Sequence, residues 1–253
     1  MGMIGNPAMA DAMREESLDE RRLVLPTGVF DADGRAHRCV RVRELTGADE
    51  EALFERGKPG NAWRVSAFLA SAIESVEGLE AGVDAAFAAD LQLGDRDYLL
   101  LRLRQMDLGD AVHQVMRCPA CLERVDVDLS ISELPVRRLD RPQAVYQADI
   151  AGTAMQLRLP TGADQAAIET LAMANPAAAN TRLFARIVLD VDGQGAPDEE
   201  TVRAWPLAMR SQLVAWLEDH APGPELFLEL VCPHCRADMS YAFDLDAFFL
   251  PSA

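Results

Sequence analysis

Two Cys-Pro-x-Cys turns, Cys118-Pro119-Ala120-Cys121 and Cys232-Pro233-His234-Cys235, constrain this chain more than any other feature. Each C-x-x-C turn presents two thiolates on one side, and a pair of such turns supplies the four soft ligands of a tetrahedral zinc site. They use four of the five cysteines. The fifth, Cys39, lies in an alternating apolar and polar stretch and is expected to pack as a small buried hydrophobe. A compact zinc ribbon places its two knuckles roughly 15–20 residues apart, whereas about 110 residues separate Cys121 from Cys232. A shared metal would therefore have to be closed by long-range folding, within one chain or between two.

An internal duplication accounts for that spacing. Sliding the chain on itself by about 114 residues lays the second knuckle on the first. The flanks then match as alternating strands, with Val125, Val127, Leu129 and Ile131 after the first knuckle and Met239, Tyr241, Phe243 and Leu245 after the second. Upstream, Thr46-Gly47-Ala48-Asp49 recurs as Thr161-Gly162-Ala163-Asp164. Each run follows a strand pattern and precedes a helical one, which puts the threonine at an N-cap and the aspartate where its carboxylate can reach back to the helix start. Residues 73–78 (IESVEG) match 188–193 (VLDVDG), and Arg96 and Leu103 match Arg210 and Leu217. Two diverged copies of one unit follow, about residues 36–134 and 146–249, each contributing half of one metal site.

Composition excludes several function classes. The formal net charge of −17 opposes approach to a phosphate backbone, and four thiolates on one zinc would make it more negative still. Nucleic-acid binding, the common use of a zinc ribbon, is therefore not expected, although a regulatory or nucleic-acid adaptor remains the alternative reading. No apolar run is long enough for a membrane span, and the acidic N-terminal stretch has neither the apolar core nor the cleavage site of a signal peptide. Reduced thiols in metal knuckles suit the cytoplasm. A thiol oxidoreductase is the third class, but its C-x-x-C belongs at a helix N-terminus, and strand patterns follow both knuckles here. The four histidines, His37, His113, His220 and His234, form no ligand or triad pattern, and neither a P-loop nor a Gly-x-Ser-x-Gly elbow occurs. Four cysteines leave a zinc without the open position that catalysis needs. No enzyme is expected.

A second feature lies in the first copy only. Residues 94–104 (GDRDYLLLRLR) read as a helix with Asp95 and Asp97 at its positive end, Arg102 and Arg104 toward its negative end, and Gly109 as a stop. An amphipathic helix with a solvated charged face accounts for every residue. The alternative is that Asp95, Arg96 and Asp97 form a polar docking or bracing cluster. In the second copy Leu207-Ala208-Met209-Arg210 stands where Gly-Asp-Arg-Asp is expected.

The run RELTGADEEAL, then GDRDYLLLRLRQMDLGD, then CPAC followed by VDVDLSISELP, resembles the T4-type baseplate hub assembly chaperone family of contractile phage tails and related contractile injection systems. The resemblance covers residues 36–136 closely and the second copy more weakly. It implies a non-enzymatic protein that helps assemble the baseplate hub or sits within it, with hub or spike proteins as partners, neither nucleic acid nor membrane, and a location in the cytoplasm or in an assembled tail-like particle. Any docking role of the Gly-Asp-Arg-Asp motif carries over only to Asp95, Arg96 and Asp97.

The fold expected is α+β: two diverged copies of a helical unit, each with a β-hairpin zinc knuckle, joined in a shared four-cysteine zinc ribbon. Structural Zn2+ is assigned to Cys118, Cys121, Cys232 and Cys235. The organisation is an acidic, flexible segment 1–35, the first copy at 36–136, a junction at 137–145 and the second copy at 146–249. Helices are expected near 48–57, 62–77, 83–91, 95–107, 163–174, 180–189, 198–204 and 207–219. Strands are expected near 37–44, 112–117, 124–131, 146–150, 154–159, 226–231 and 238–245.

Overall fold

The computed structural model describes residues 21–54, 60–80 and 82–242. Strands β1 (Arg22–Phe30), β2 (Ala36–Val42) and β3 (Ile73–Val76) form an antiparallel sheet in that order. Helices α1 (Gly47–Phe54) and α2 (Asn61–Ala72) lie between β2 and β3; α3 (Ala85–Asp90) and α4 (Leu93–Leu108) follow β3. The hairpin β4 (Ala111–Arg117) and β5 (Arg124–Ser130) comes next, then the short β6 (Val136–Arg137). The same order of sheet, helices and hairpin then runs a second time. Strands β7 (Tyr146–Ile150), β8 (Thr153–Leu157) and β9 (Val188–Val191) make the second sheet, with α5 (Gly162–Ala174) and α6 (Pro176–Ile187) between β8 and β9. Helices α7 (Glu199–Ala204) and α8 (Leu207–His220), the short β10 (Gly223–Pro224) and the hairpin β11 (Phe227–Val231) with β12 (Asp238–Ala242) complete it.

The helix starts expected at the two threonines form as the sequence implies. Asp49 accepts from the Thr46 N–H at 2.8 Å and its hydroxyl at 2.9 Å, and Asp164 accepts from the Thr161 N–H at 2.9 Å and its hydroxyl at 3.2 Å. An arginine six residues upstream clamps each carboxylate: Arg43 on Asp49 at 2.6 Å and Arg158 on Asp164 at 2.6 Å. Arg43 holds Asp49 well below the usual carboxylate range. Burial works against Asp164, yet Arg158, the Thr161 N–H and Arg186 hold it low as well.

Three expectations need correction. Residues 22–30, assigned to the N-terminal segment, are the edge strand of the first sheet, with Leu23 and Leu25 in the core; Pro26 and Gly28 interrupt the alternation that signals a strand. The helix expected at 62–77 ends at Ala72, and that expected at 180–189 runs from Pro176 to Ile187. In both places the chain passes without a break into a strand, β3 or β9, because Ile73 and Val188 turn extended (φ −82°, ψ 120° and φ −83°, ψ 116°). No glycine or proline marks that point, and the β-branched residues there are the only local cue. Each knuckle sits on its own two-stranded hairpin. The expected strand beyond 242, the last residues of the helix expected at 48–57 and the tail at 1–20 lie outside the described residues.

Each half has its own core. The first packs Leu25, Val40, Leu69, Leu99 and Leu103; the second packs Ile150, Met155, Leu157, Phe184, Ile187 and Leu213. A third cluster, with Leu101, Val112, Ile131 and Leu134 against Leu226 and Leu228, ties α4 to both hairpins. The connecting segments also cross over: β6 pairs with β10 antiparallel, and Arg137 donates to the Glu218 and Asp219 carbonyls at the end of α8, at 3.0 and 2.6 Å.

One side chain stands at the centre of the junction. Arg96 is 1% exposed and donates to the Ala62 carbonyl at 2.9 Å, the Ala88 carbonyl at 2.6 Å and Ser66 Oγ at 2.9 Å. Gly162, at the start of α5, rests on its guanidinium, so close that a Cβ there would lie 2.3 Å from Nη1. Gly94 meets the other half in the same way, its Cβ position 1.8 Å from the Pro222 carbonyl oxygen. Neither neighbour can yield, since one is a clamped buried side chain and the other is backbone. Gly162→Ala should therefore lower stability by about 1–3 kcal/mol, as overpacking does. Gly47→Ala, at the matching position of α1 with nothing within 4 Å of a Cβ, should be neutral or slightly stabilising. Guanidinium chloride midpoints of the two variants check the contrast.

Candidate metal centre

Each knuckle is built by the same backbone device. Between β4 and β5 the Cys118 N–H donates to the Glu123 carbonyl at 2.9 Å and the Leu122 N–H to the Cys118 carbonyl at 2.9 Å, with Leu122 at φ 62°. Between β11 and β12 the Cys232 N–H donates to the Ala237 carbonyl and the Arg236 N–H to the Cys232 carbonyl, both at 2.9 Å, with Arg236 at φ 60°. Such a tight turn sets two sulfurs on one side and aims backbone N–H groups at the first of them. Those N–H groups lower the Cys118 thiol to about 7, the Cys121 N–H contributing most, and lower Cys232 through the Cys235 N–H.

The inner faces of the two hairpins meet. Cys118, Val125, Cys232 and Met239 are buried together, with Met116, Val127 and Leu230 packed around them. Cys118 Sγ lies 3.7 Å from Cys235 Sγ and Cys121 Sγ lies 3.8 Å from Cys232 Sγ, and all four sulfurs lie within 4.8 Å of one another. A tetrahedron with bonds of about 2.3 Å needs sulfurs about 3.8 Å apart. The four residues therefore fit a tetrahedral metal, with both halves of one chain supplying two ligands each. The His234 ring donates from Nε2 to the Arg124 carbonyl at 3.2 Å, which fastens the second knuckle to the first hairpin. Cys39 stands apart and half-buried, its sulfur 3.1 Å from Arg22 Nη2.

The structure puts Asp95 and Arg96 elsewhere than on a docking face. Asp95 is 0% exposed and accepts from the Thr27 and Gly28 N–H groups, at 2.8 and 2.9 Å, where β1 bulges against β2. Arg96 is the buried clamp at the junction. Both brace the fold and offer a partner no surface; Asp97 beside them is half-buried. The second half shows what each residue is for. Arg210 donates to the Val202 and Ala177 carbonyls at 3.1 and 3.0 Å, the counterparts of Ala88 and Ala62, and Thr181 bonds Ala177 as Ser66 bonds Ala62. The arginine is thus present in both halves, as the match of Arg96 with Arg210 implies, so the residues opposite Gly-Asp-Arg-Asp are Ala208-Met209-Arg210-Ser211 rather than Leu207 to Arg210, with Met209 opposite Asp95. Strand β7 turns back at Ala151-Gly152, so no bulged extension exists there for an aspartate to hold.

Comparison with known proteins gives one finding. A family model described as T4 bacteriophage base plate protein matches residues 40–250, a span that includes both knuckles. No curated protein and no solved structure matches the chain.

Burial raises Asp95 to about 6, against the opposing pull of the Thr27 and Gly28 N–H groups and of Arg38 and Arg138. A carboxylate raised on folding is protonated in the folded state before it is in the unfolded one, so its contribution is full below about pH 4 and is lost as pH rises through about 6. The stability advantage of the natural protein over Asp95→Asn should therefore shrink between pH 5.0 and pH 7.5. Urea midpoints at the two pH values read it, and a gap that stays constant or widens contradicts the assignment.

Proposed function

The chain belongs to the T4 bacteriophage base plate protein family, and from that membership we propose that it is a non-enzymatic, zinc-stabilised protein that acts in the assembly or structure of the baseplate hub of a contractile tail or injection system. Its partners in this reading are hub or spike proteins of the particle. The observation that carries it is the span of the family match, which takes in both halves and both knuckles. The net charge of −17 supports protein rather than nucleic acid as the partner. Among the described residues no helix is long and apolar enough to cross a membrane.

Zinc is the metal we assign to Cys118, Cys121, Cys232 and Cys235. Thiolates are soft ligands, and a closed tetrahedron of four suits a redox-inert d10 ion held for structure. We also infer that the halves are diverged copies of one unit. The matched pairs Asp49 and Asp164, Arg43 and Arg158, and Arg96 and Arg210 support this, since each pair makes equivalent bonds in equivalent elements.

Two measurements test the reading. Elemental analysis of protein purified without chelator should give one zinc per chain, and absence of stoichiometric metal would refute the site. Purification from the native host should bring down hub or spike proteins of a baseplate. Recovery of nucleic acid in their place, or of mixed disulfides at the knuckle cysteines, would favour an adaptor or a thiol oxidoreductase.

A further inference from the structure

Many arginines of this acidic chain are occupied by carboxylates or by carbonyls, but two of them border one polar cavity with no carboxylate partner among the described residues. The cavity, about 300 Å3, opens between α4 and the segment that runs from the turn Ile131–Glu133 into β6, and it is lined by Tyr98, Arg102, Ser132 and Arg138 above an apolar floor. Tyr98 and Arg102 are one helical turn apart on α4 and so share a face. Arg138 lies over the Tyr98 ring, 5.0 Å from its centroid, and donates from Nη2 to the Tyr98 hydroxyl at 3.1 Å and from Nη1 to the Val24 carbonyl at 2.5 Å. Arg102 donates to the Gln105 side-chain oxygen, and its Nε is buried with no acceptor among the described residues.

The carboxylates that feel these two cations take their hydrogen bonds from other donors. Asp110 accepts from the Ser132 N–H at 2.9 Å, the Ser132 hydroxyl at 2.7 Å and Gln105 at 2.6 Å. Asp95 is sealed against β1 by the Thr27 and Gly28 N–H groups. Two arginines therefore line one opening with N–H donors to spare, in a chain whose overall field is strongly negative.

We propose that the Tyr98–Arg102–Arg138 cavity is a carboxylate-binding pocket that receives an acidic side chain of a protein partner. A planar guanidinium fork matches a carboxylate with two parallel hydrogen bonds, and bonds of this charge-assisted kind are among the strongest side chains make. The net charge of −17 repels a polyphosphate at long range, whereas a single carboxylate brought in on a partner already in contact meets only the local positive field. The partner's being a protein rests on the baseplate reading, and the pocket adds the chemistry of one contact to it.

The test uses the full chain in low salt with three probes: the peptide acetyl-Gly-Glu-Gly-amide, the same peptide with Gln for Glu, and inorganic phosphate. The Nε–Hε resonances of Arg102 and Arg138 are followed by NMR. The Glu peptide should shift both saturably with a dissociation constant of about 1 mM, the Gln peptide should not, and Arg102→Gln should weaken binding at least tenfold with an unchanged backbone amide spectrum. If Arg102→Gln disturbs the fold, Arg102→Lys replaces it; the charge remains but the fork is lost, and weakening of several-fold is expected. Absence of saturable shifts, equal binding of the Gln peptide, or undiminished binding by the folded variants would overturn the proposal. Phosphate bound more tightly than the Glu peptide would overturn the carboxylate assignment in favour of a free-anion pocket. None of these outcomes depends on whether baseplate proteins co-purify, so the pocket and the baseplate reading stand or fall separately.

Discussion

Four thiols from opposite halves of the chain can meet only if two knuckle hairpins are delivered face to face at one point. Much of the fold serves that delivery. Leu101, Val112 and Leu134 pack with Leu226 and Leu228, so α4 of the first half carries both hairpins. The pairing of β6 with β10 fixes the segment leaving one hairpin to the segment entering the other. Structural zinc binds small peptides with an apparent free energy of about 10–16 kcal/mol at neutral pH, comparable to the roughly 5–15 kcal/mol that stabilises a whole domain. A metal held by both halves would therefore couple them more firmly than the small knuckle cluster of Cys118, Val125, Cys232 and Met239 could alone.

The second constraint is the handling of buried charge. Leaving a charge in the interior without partners is costly, and the buried charges here are met. Asp164, fully buried, is gripped by Arg158 at 2.6 Å and Arg186 at 2.7 Å. Arg96 spends its donors on two carbonyls and a hydroxyl, and Arg210 does the same with two carbonyls while lying over the Phe184 ring at 5.3 Å. Chemistry-bearing residues in the centre of the molecule thus serve to join α2 to α3, and α6 to α7.

How much of this is legible in the sequence depends on the range of each interaction. The knuckles, the N-cap boxes and the α+β class follow from short-range rules, and those residues do what their spacing implies. Asp95 and Arg96 mislead because i, i+1 charges at a helix start look alike whether they face water or a carbonyl cage. Burial there is decided by residues from elsewhere in the chain, Thr27 and Gly28 of β1 for Asp95 and Ala62, Ala88 and Gly162 of other helices for Arg96. Strands β3 and β9 are hidden for a related reason: Ile73 and Val188 fit the preceding helical period, and only pairing with β2 and β8 draws them extended. Gly94 and Gly162 read as ordinary helix-start glycines, and only the opposing half shows why no Cβ fits there.

In the proposed reading one metal joins the halves through knuckles on separate hairpins. Hydrogen exchange across β4 and β5 in Cys232→Ser tests it most directly, because the substitution is made in the second half and read in the first. If the four cysteines share one metal, amide protection from Val125 to Leu129 falls sharply while that of β2 and α4 in the first core is retained. Unchanged protection from Val125 to Leu129 would mean that the two knuckles hold no common ion.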